Sequence, residues 1–182
     1  MSEILKQIAR GVNIVPLVSA IQRNPELWNQ YNLRTENVNS PHNGLDDIWV
    51  RYNSQDNYEN NASFNDEHNS VWYDSELVKP VKDIVFPLMS FVKGERLGGV
   101  LITRIPPGKE CRPHIDGGWH ASFYSKYAVQ LQGNLQQAFC FDGESFSALP
   151  GDVYRFDNSK LHWVTNDSDQ DRITMIVCIK HD

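Results

Sequence analysis

His114-Ile115-Asp116 sets an imidazole and a carboxylate two residues apart, and His162 follows on a later apolar run. On a β-strand, residues i and i+2 leave the same face, so the first two side chains can converge on one ion. Two histidines and one carboxylate leave about three coordination positions open, the facial arrangement of non-haem iron(II) oxygenases. With 6 histidines and 14 aspartates in 182 residues, one His-x-Asp spacing arises by chance about half the time, so the dipeptide alone carries little. A solvated histidine beside a loop aspartate is the plain alternative.

The surroundings shift that balance. The pair follows an apolar run and a Pro106-Pro107-Gly108 turn and leads into Gly117-Gly118, where a strand ends and a site can open. His162 lies beyond Pro150-Gly151-Asp152, and Arg172 opens the last apolar run ten residues later. Neutral imidazoles and one carboxylate leave a divalent iron with a single net positive charge, which suits an anionic co-substrate. A guanidinium on a neighbouring strand can hold the far carboxylate of that molecule in a bidentate pair.

These side chains need a scaffold, and the chain supplies a mainly β one with helices ahead of it. Leu17, Ile21, Leu27, Trp28 and Tyr31 recur at near-helical intervals from Pro16, with Pro25 marking a turn where a second helix begins. Ser75 to Val92 carries Leu77, Val78, Val81, Ile84, Val85, Leu88 and Phe91, an amphipathic helix that Pro87 should kink. Between them, Thr35 to Asn69 is a polar tract long enough for a lid, in which Asp47 to Tyr52 alternates as a strand. After Gly98-Gly99 the pattern turns to short strands: Val100–Ile105, Tyr127–Leu131, Ala138–Phe141, Phe146–Leu149, Val153–Phe156, His162–Thr165 and Ile173–Ile179, with Asp142-Gly143 as a two-residue hairpin. Such a series behind helices reads as a β-sandwich or barrel backed by helices. The expected organisation is one domain over 1–182, with helical support and polar loop in 1–96 and a β core in 97–180.

A formal charge of −6 removes the broad attraction to phosphate on which nucleic-acid binders rely, so such a partner is disfavoured. Cys111, Cys140 and Cys178 leave an odd thiol in any pairing scheme and lack zinc or redox spacing, so they read as reduced, packed thiols. The first ten residues are too polar for a secretion signal, and no run approaches the roughly 18 apolar residues of a membrane span. The cytoplasm is the expected compartment.

Gly99-Val100-Leu101-Ile102-Thr103-Arg104-Ile105-Pro106-Pro107-Gly108, His114-Ile115-Asp116, Asp157-Asn158-Ser159-Lys160-Leu161-His162 and Asp171-Arg172-Ile173, in that order, resemble the aspartyl/asparaginyl β-hydroxylase family of 2-oxoglutarate- and iron(II)-dependent oxygenases. Bacterial free-proline hydroxylases are close to the same pattern. The clear likeness covers about Leu97 to Ile179, with a fainter one back through Trp28 and Ile48. It implies a double-stranded β-helix, a jelly-roll of the cupin kind. It further implies Fe(II) on His114, Asp116 and His162, 2-oxoglutarate with its 5-carboxylate on Arg172, and O2 as oxidant. The reaction implied couples oxidative decarboxylation of 2-oxoglutarate to hydroxylation of a C–H bond in an amino acid, or in an Asp- or Asn-type residue of a peptide. No catalytic side chain beyond the metal ligands is expected.

Two departures matter. Where the family has Arg-x-His, this chain has Lys126-Tyr127-Ala128, so the histidine that orients 2-oxoglutarate is missing. Lys126 and Gln130 share a strand face with Ala128 and are the expected substitutes, and Thr103 matches a hydroxyl position of the family. Asp116 is present where some β-hydroxylases of proteins lack the carboxylate, which moves the likeness toward the small-molecule and bacterial branch. Trp119 and His120 beside the metal pair, and Arg155 and Asn158 before His162, are candidates for substrate contact, against plain roles in covering a loop or capping a turn. His42 and His68 read as solvated, and the remaining tryptophans as packing residues. Two other readings stand beside the oxygenase. One is a cupin-type metal protein that needs no 2-oxoglutarate, against which Arg172 counts. The other is a non-catalytic binding module, against which four retained polar groups count.

Overall fold

The computed structural model describes residues 4–59 and 63–182. Its strands are β1 (Leu5–Ala9), β2 (Asp46–Tyr52), β3 (Val71–Trp72), β4 (Arg96–Ile105), β5 (Glu110–His114), β6 (Ser125–Gln132), β7 (Gln137–Phe141), β8 (Glu144–Phe146), β9 (Val153–Phe156), β10 (His162–Asn166) and β11 (Arg172–Lys180). The α-helices are α1 (Val15–Arg23), α2 (Val78–Val92) and α3 (Gly118–Phe123). Seven strands form one sheet in the order β1-β9-β6-β11-β4-β2-β3, and four form a second, β5-β10-β7-β8. Every pairing is antiparallel, and the two faced sheets make the jelly-roll.

Strand alternation divides the large sheet between two environments. In β11, Met175, Val177 and Ile179 join the core formed with Leu17 and Ile21 of α1 and Val81, Ile84, Val85 and Leu88 of α2. The alternate residues Arg172, Thr174 and Ile176 turn toward the other sheet. The same period of two puts Val100 and Ile102 of β4 under the helices and Thr103 and Ile105 on the inner face. Between the sheets, Ile105, Ala128, Phe139, Phe141, Tyr154, Phe156 and Val164 make a second core. One face of the sheet thus fixes the helices, and the other is free to carry a site.

The elements differ from the sequence reading in a few places. The first helix stops at Arg23, and Pro25–Leu27 is a short 3-10 turn, because Asn24 leaves helical geometry ahead of the proline. Trp28 therefore lies outside the helix, under the guanidinium of Arg104 at 4.5 Å. Pro87 stays inside α2 on its exposed face, where the carbonyl it cannot bond is open to water, and the helix runs on to Val92. The strand expected at Phe146–Leu149 is Glu144–Phe146, pulled forward by the Asp142-Gly143 turn with Gly143 at φ +80°. β1, a five-residue edge strand on β9, gave no clear alternation in advance. The expected lid is bolted down: Arg112 donates to the carbonyls of Val38 and Ser40, and Arg34 forms a salt bridge with the fully buried Asp47. All three cysteines are buried and free, as expected. Among the described residues no helix is long and apolar enough to cross a membrane.

Candidate active site

A cavity of about 70 Å3 lies between the sheets, with His114, Asp116 and His162 in its wall together with Arg172. β5 and β10 pair so that His114 and His162 are register partners, and their rings lie 4.3 Å apart. Asp116 stands two residues past the end of β5, so its placement is set by the loop as well as by strand alternation. Its backbone N–H donates to the carbonyl of Asn158 at 3.1 Å, which holds the turn against the entry to β10. One Asp116 oxygen lies 3.5 Å from His114 Nε2 and the other 3.9 Å from His162 Nε2. Ligand atoms of all three residues fall within 4.8 Å of one another, a spacing one ion can span.

The ring tautomers follow from the backbone. His114 Nδ1 is 2.7 Å from the carbonyl of Arg112, and His162 Nδ1 is 2.8 Å from the carbonyl of Lys160. A carbonyl only accepts, so each Nδ1 carries a proton and each Nε2 faces Asp116, with a proton on His114 and a lone pair on His162. A backbone acceptor on the far nitrogen is the usual outer partner of a metal-bound imidazole.

Charge in the cluster is tightly matched. Lys126 Nζ donates to Asp116 at 2.6 Å. Although burial opposes it, the hydrogen bond from His114 and the charge of Lys126 hold the Asp116 carboxyl far below the usual carboxylate range. Burial likewise opposes protonation of His114, yet the Asp116 carboxylate outweighs it and pushes the imidazole up to about 10. Burial, and the neighbouring His114 and Lys126, lower His162 and keep it neutral. A divalent cation arriving here exchanges for the proton on His114 Nε2.

Elsewhere in the same cavity, Arg172 is only 5% exposed. Its Nη1 donates to Thr174 Oγ1 at 2.7 Å and its Nη2 to the Tyr154 hydroxyl at 3.0 Å. Among the described residues no carboxylate lies within salt-bridge distance of it, so a buried cation faces the cavity with neutral partners only. Burial pushes the Tyr154 hydroxyl up, which keeps it a neutral partner for the guanidinium.

The remaining expected residues divide sharply. Thr103 lines the cavity, but its hydroxyl donates to Asp47 at 2.9 Å and accepts from Arg34 at 2.8 Å. Lys126 lines it too, on Asp116. Gln130 does not: its amide donates to the carbonyls of Gln132 and Ile173, and it accepts from Thr174 at 3.1 Å, so it supports Arg172's partner from behind. Trp119 stacks on Phe123 away from the cavity. His120 accepts the backbone N–H of Gly99 through Nε2 at 3.2 Å and faces a neighbouring cavity. Arg155, odd in the β9 alternation, lies in an open groove on the outside of the fold and donates to Ser125. Asn158 donates to Ala121 and shapes the Asp116 loop without entering the cavity. His42, expected to be solvated, lies in the wall, 3.1 Å from Arg34 and edge-on to His114. Burial and the Arg34 cation lower it well below the ordinary histidine value. Sequence reading also missed Arg34 and Asp47, paired across 13 residues, and Tyr154, whose one available signal was its inward place in β9.

Residues 5–182 match the family model described as aspartyl/asparaginyl beta-hydroxylase. The chain belongs to that family. Membership makes it an iron(II)- and 2-oxoglutarate-dependent oxygenase of the hydroxylase kind. Among solved structures it resembles a 2OG-Fe(II) oxygenase family oxidoreductase from Burkholderia pseudomallei, at 9% identity and TM-score 0.56, over 76% of this chain and 67% of the other. It also resembles the viral collagen prolyl hydroxylase of Paramecium bursaria Chlorella virus-1, at 11% identity and TM-score 0.56, over 100% of this chain and 98% of the other. At these identities both likenesses speak for the fold. No curated protein sequence matches the chain.

Proposed function

We propose that residues 1–182 act as one oxygenase domain in which His114, Asp116 and His162 hold Fe(II) and Arg172 receives the distal carboxylate of 2-oxoglutarate. The reaction is hydroxylation of a C–H bond in an amino acid, or in an Asp- or Asn-type residue of a peptide. The observation that carries this reading is a buried guanidinium without an anion in the same cavity as a three-ligand cluster. A buried cation costs several kcal/mol unless an anion joins it, so the site is built for a carboxylate from outside.

The donor set fits iron. Two imidazoles whose Nε2 atoms both turn inward and one ionised carboxylate suit a borderline divalent ion and leave positions open for small ligands. Bound iron with 2-oxoglutarate and O2 supplies the oxidising power for C–H hydroxylation. The chain's own residues bind and orient. Arg112 and Lys160 carbonyls fix the imidazole tautomers, Asn158 holds the Asp116 turn, and Tyr154 and Thr174 aim Arg172. Phe139, Phe156 and Val164 line the cavity and limit water, which strengthens each charge interaction inside it. Thr103 and Lys126 border the same space, whereas Gln130 acts through Thr174.

Anaerobic Fe(II) titration with and without 2-oxoglutarate tests the reading. A weak visible charge-transfer band that needs both components, and that Arg172→Gln shifts to higher 2-oxoglutarate concentration, is the expected result. Iron uptake without any 2-oxoglutarate-dependent band would favour a metal protein of another activity on the same fold.

A further inference from the structure

A second cavity, of about 280 Å3, adjoins the first and shares Arg34, Lys126 and Ile176 with it. Its buried wall is Trp49, Tyr52, Leu101, His120 and Cys178, and the exposed Asn37 and Asn65 mark its rim. Strand alternation explains the shared boundary. Ile176 sits between Thr174, which faces the first cavity, and Cys178, which faces the second. The volume is near the lower end of small-ligand pockets, about 300–1,000 Å3, too small for a folded partner.

The charge of this wall is one-sided. Arg34 and Lys126 are its cations, and among the described residues lining it there is no carboxylate. Arg34 is already matched by Asp47 through two bonds of 2.5 and 2.9 Å. Among the described residues Lys126 is matched only by Asp116, and its side chain is 17% exposed. A divalent ion on Asp116 draws on that same carboxylate and weakens its pairing with the ammonium, which can then take another anion. His120 adds no charge, since its Nε2 lone pair is taken by the Gly99 N–H. Among the described residues the buried Trp49 indole N–H has no acceptor, a further donor in a wall short of anions.

We propose that this second cavity takes the molecule to be hydroxylated, and that it is a small carboxylic acid. Its carboxylate pairs with Lys126, and its apolar part lies against Trp49, Tyr52 and Leu101. An ammonium group finds no acid in the wall and stays at the Asn37 and Asn65 rim or is absent. Lys126 is then a specificity residue shared by the two cavities. This rests on the metal and 2-oxoglutarate assignment above.

The test is calorimetry on the full chain loaded with redox-inert Zn(II) and saturated with 2-oxoglutarate, so that the first cavity is filled. The probes are propanoate, 4-methylpentanoate, 3-phenylpropanoate and N-acetyl-L-leucine, each beside its carboxamide, with L-leucinamide as the cation. At least one carboxylate should bind tenfold or more tightly than its amide, and the cation should not bind. Lys126→Met should erase that preference and Lys126→Arg should keep it. Zinc uptake with no carboxylate preference, or a preference that survives in Lys126→Met, would overturn this inference alone. Failure to take zinc or 2-oxoglutarate would overturn the underlying site and this inference with it.

Discussion

Replacing Arg172 by Met keeps an unbranched side chain of similar length while removing the buried charge. The variant loses two charge-assisted hydrogen bonds, to Thr174 and Tyr154, each contributing about 1.5–3 kcal/mol. It also removes an unpaired buried cation, and replacing buried ionic groups by apolar ones of like volume is commonly neutral or stabilising by about 1–4 kcal/mol. These effects oppose each other, so without ligand the variant should be destabilised by about 2 kcal/mol and by no more than about 5. With ligand the two proteins part. Losing one partner of a buried charge pair costs about 2–5 kcal/mol, or about 30- to 4,000-fold in 2-oxoglutarate affinity. At 100 times its dissociation constant, 2-oxoglutarate should stabilise the zinc-loaded parent by about 2.7 kcal/mol, which is about 5–10 °C in Tm for a domain of this size. The same concentration should stabilise Arg172→Met by no more than about 0.9 kcal/mol. Thermal and urea unfolding, each with and without 2-oxoglutarate, measure both quantities. A ligand-free variant destabilised by more than about 5 kcal/mol would mean that Arg172 is already compensated in the folded protein, and the case for an awaited carboxylate would fail. So would an equal 2-oxoglutarate shift in the two proteins.

His114→Ala, Asp116→Ala and His162→Ala should each weaken metal binding by at least about 100-fold, beyond the loss usual for an outer partner, while circular dichroism stays native; wild-type affinity by calorimetry would remove that residue from the ligand set. His120 gives a pH prediction: burial, then the nearby Lys126 and His68, lower it to about 3, below the unfolded value of 6.5. The unfolded chain therefore binds the extra proton, and stability present above pH 6.5 should fall by roughly 3–5 kcal/mol as pH drops toward 3. His120→Phe should flatten that part of the urea-midpoint profile, and an unchanged profile would place the acid sensitivity elsewhere. Gly98→Ala should destabilise by about 1–3 kcal/mol, because the added carbon would stand 2.8 Å from the Tyr124 ring; Tyr124→Leu in the same chain should restore most of the loss in chemical denaturation.

The strands that carry the site were legible because their information is local. Alternation in Val100–Ile105 and Ile173–Ile179 and the Asp-Gly turn after Phe141 depend on neighbours in the chain, and apart from the one at Phe146–Leu149 the expected strands formed where their patterns stood, most within two residues. His114, Asp116, His162 and Arg172 were legible by type and order, and the fold brings all four to one cavity. Tertiary structure decided what pairing alone can decide. Asp116 reaches the histidines from a loop beyond β5, held by Asn158, 42 residues further on, which no strand rule anticipates. Gln130 and Thr103 share inner faces with the site, but the bonds they make, to Thr174 and to the Arg34–Asp47 pair, turn one into a support and commit the hydroxyl of the other. His42 sits in, and Arg34 immediately before, a tract whose composition reads as solvent-exposed loop. They enter the cavity wall because Asp47, placed by the pairing of β2 with β4, offers a buried carboxylate that Arg34 pairs with, and Arg34 in turn meets His42. A sequence reports the face each strand residue takes, while the partner of a buried charge is fixed by which segments the folded chain brings within hydrogen-bond reach.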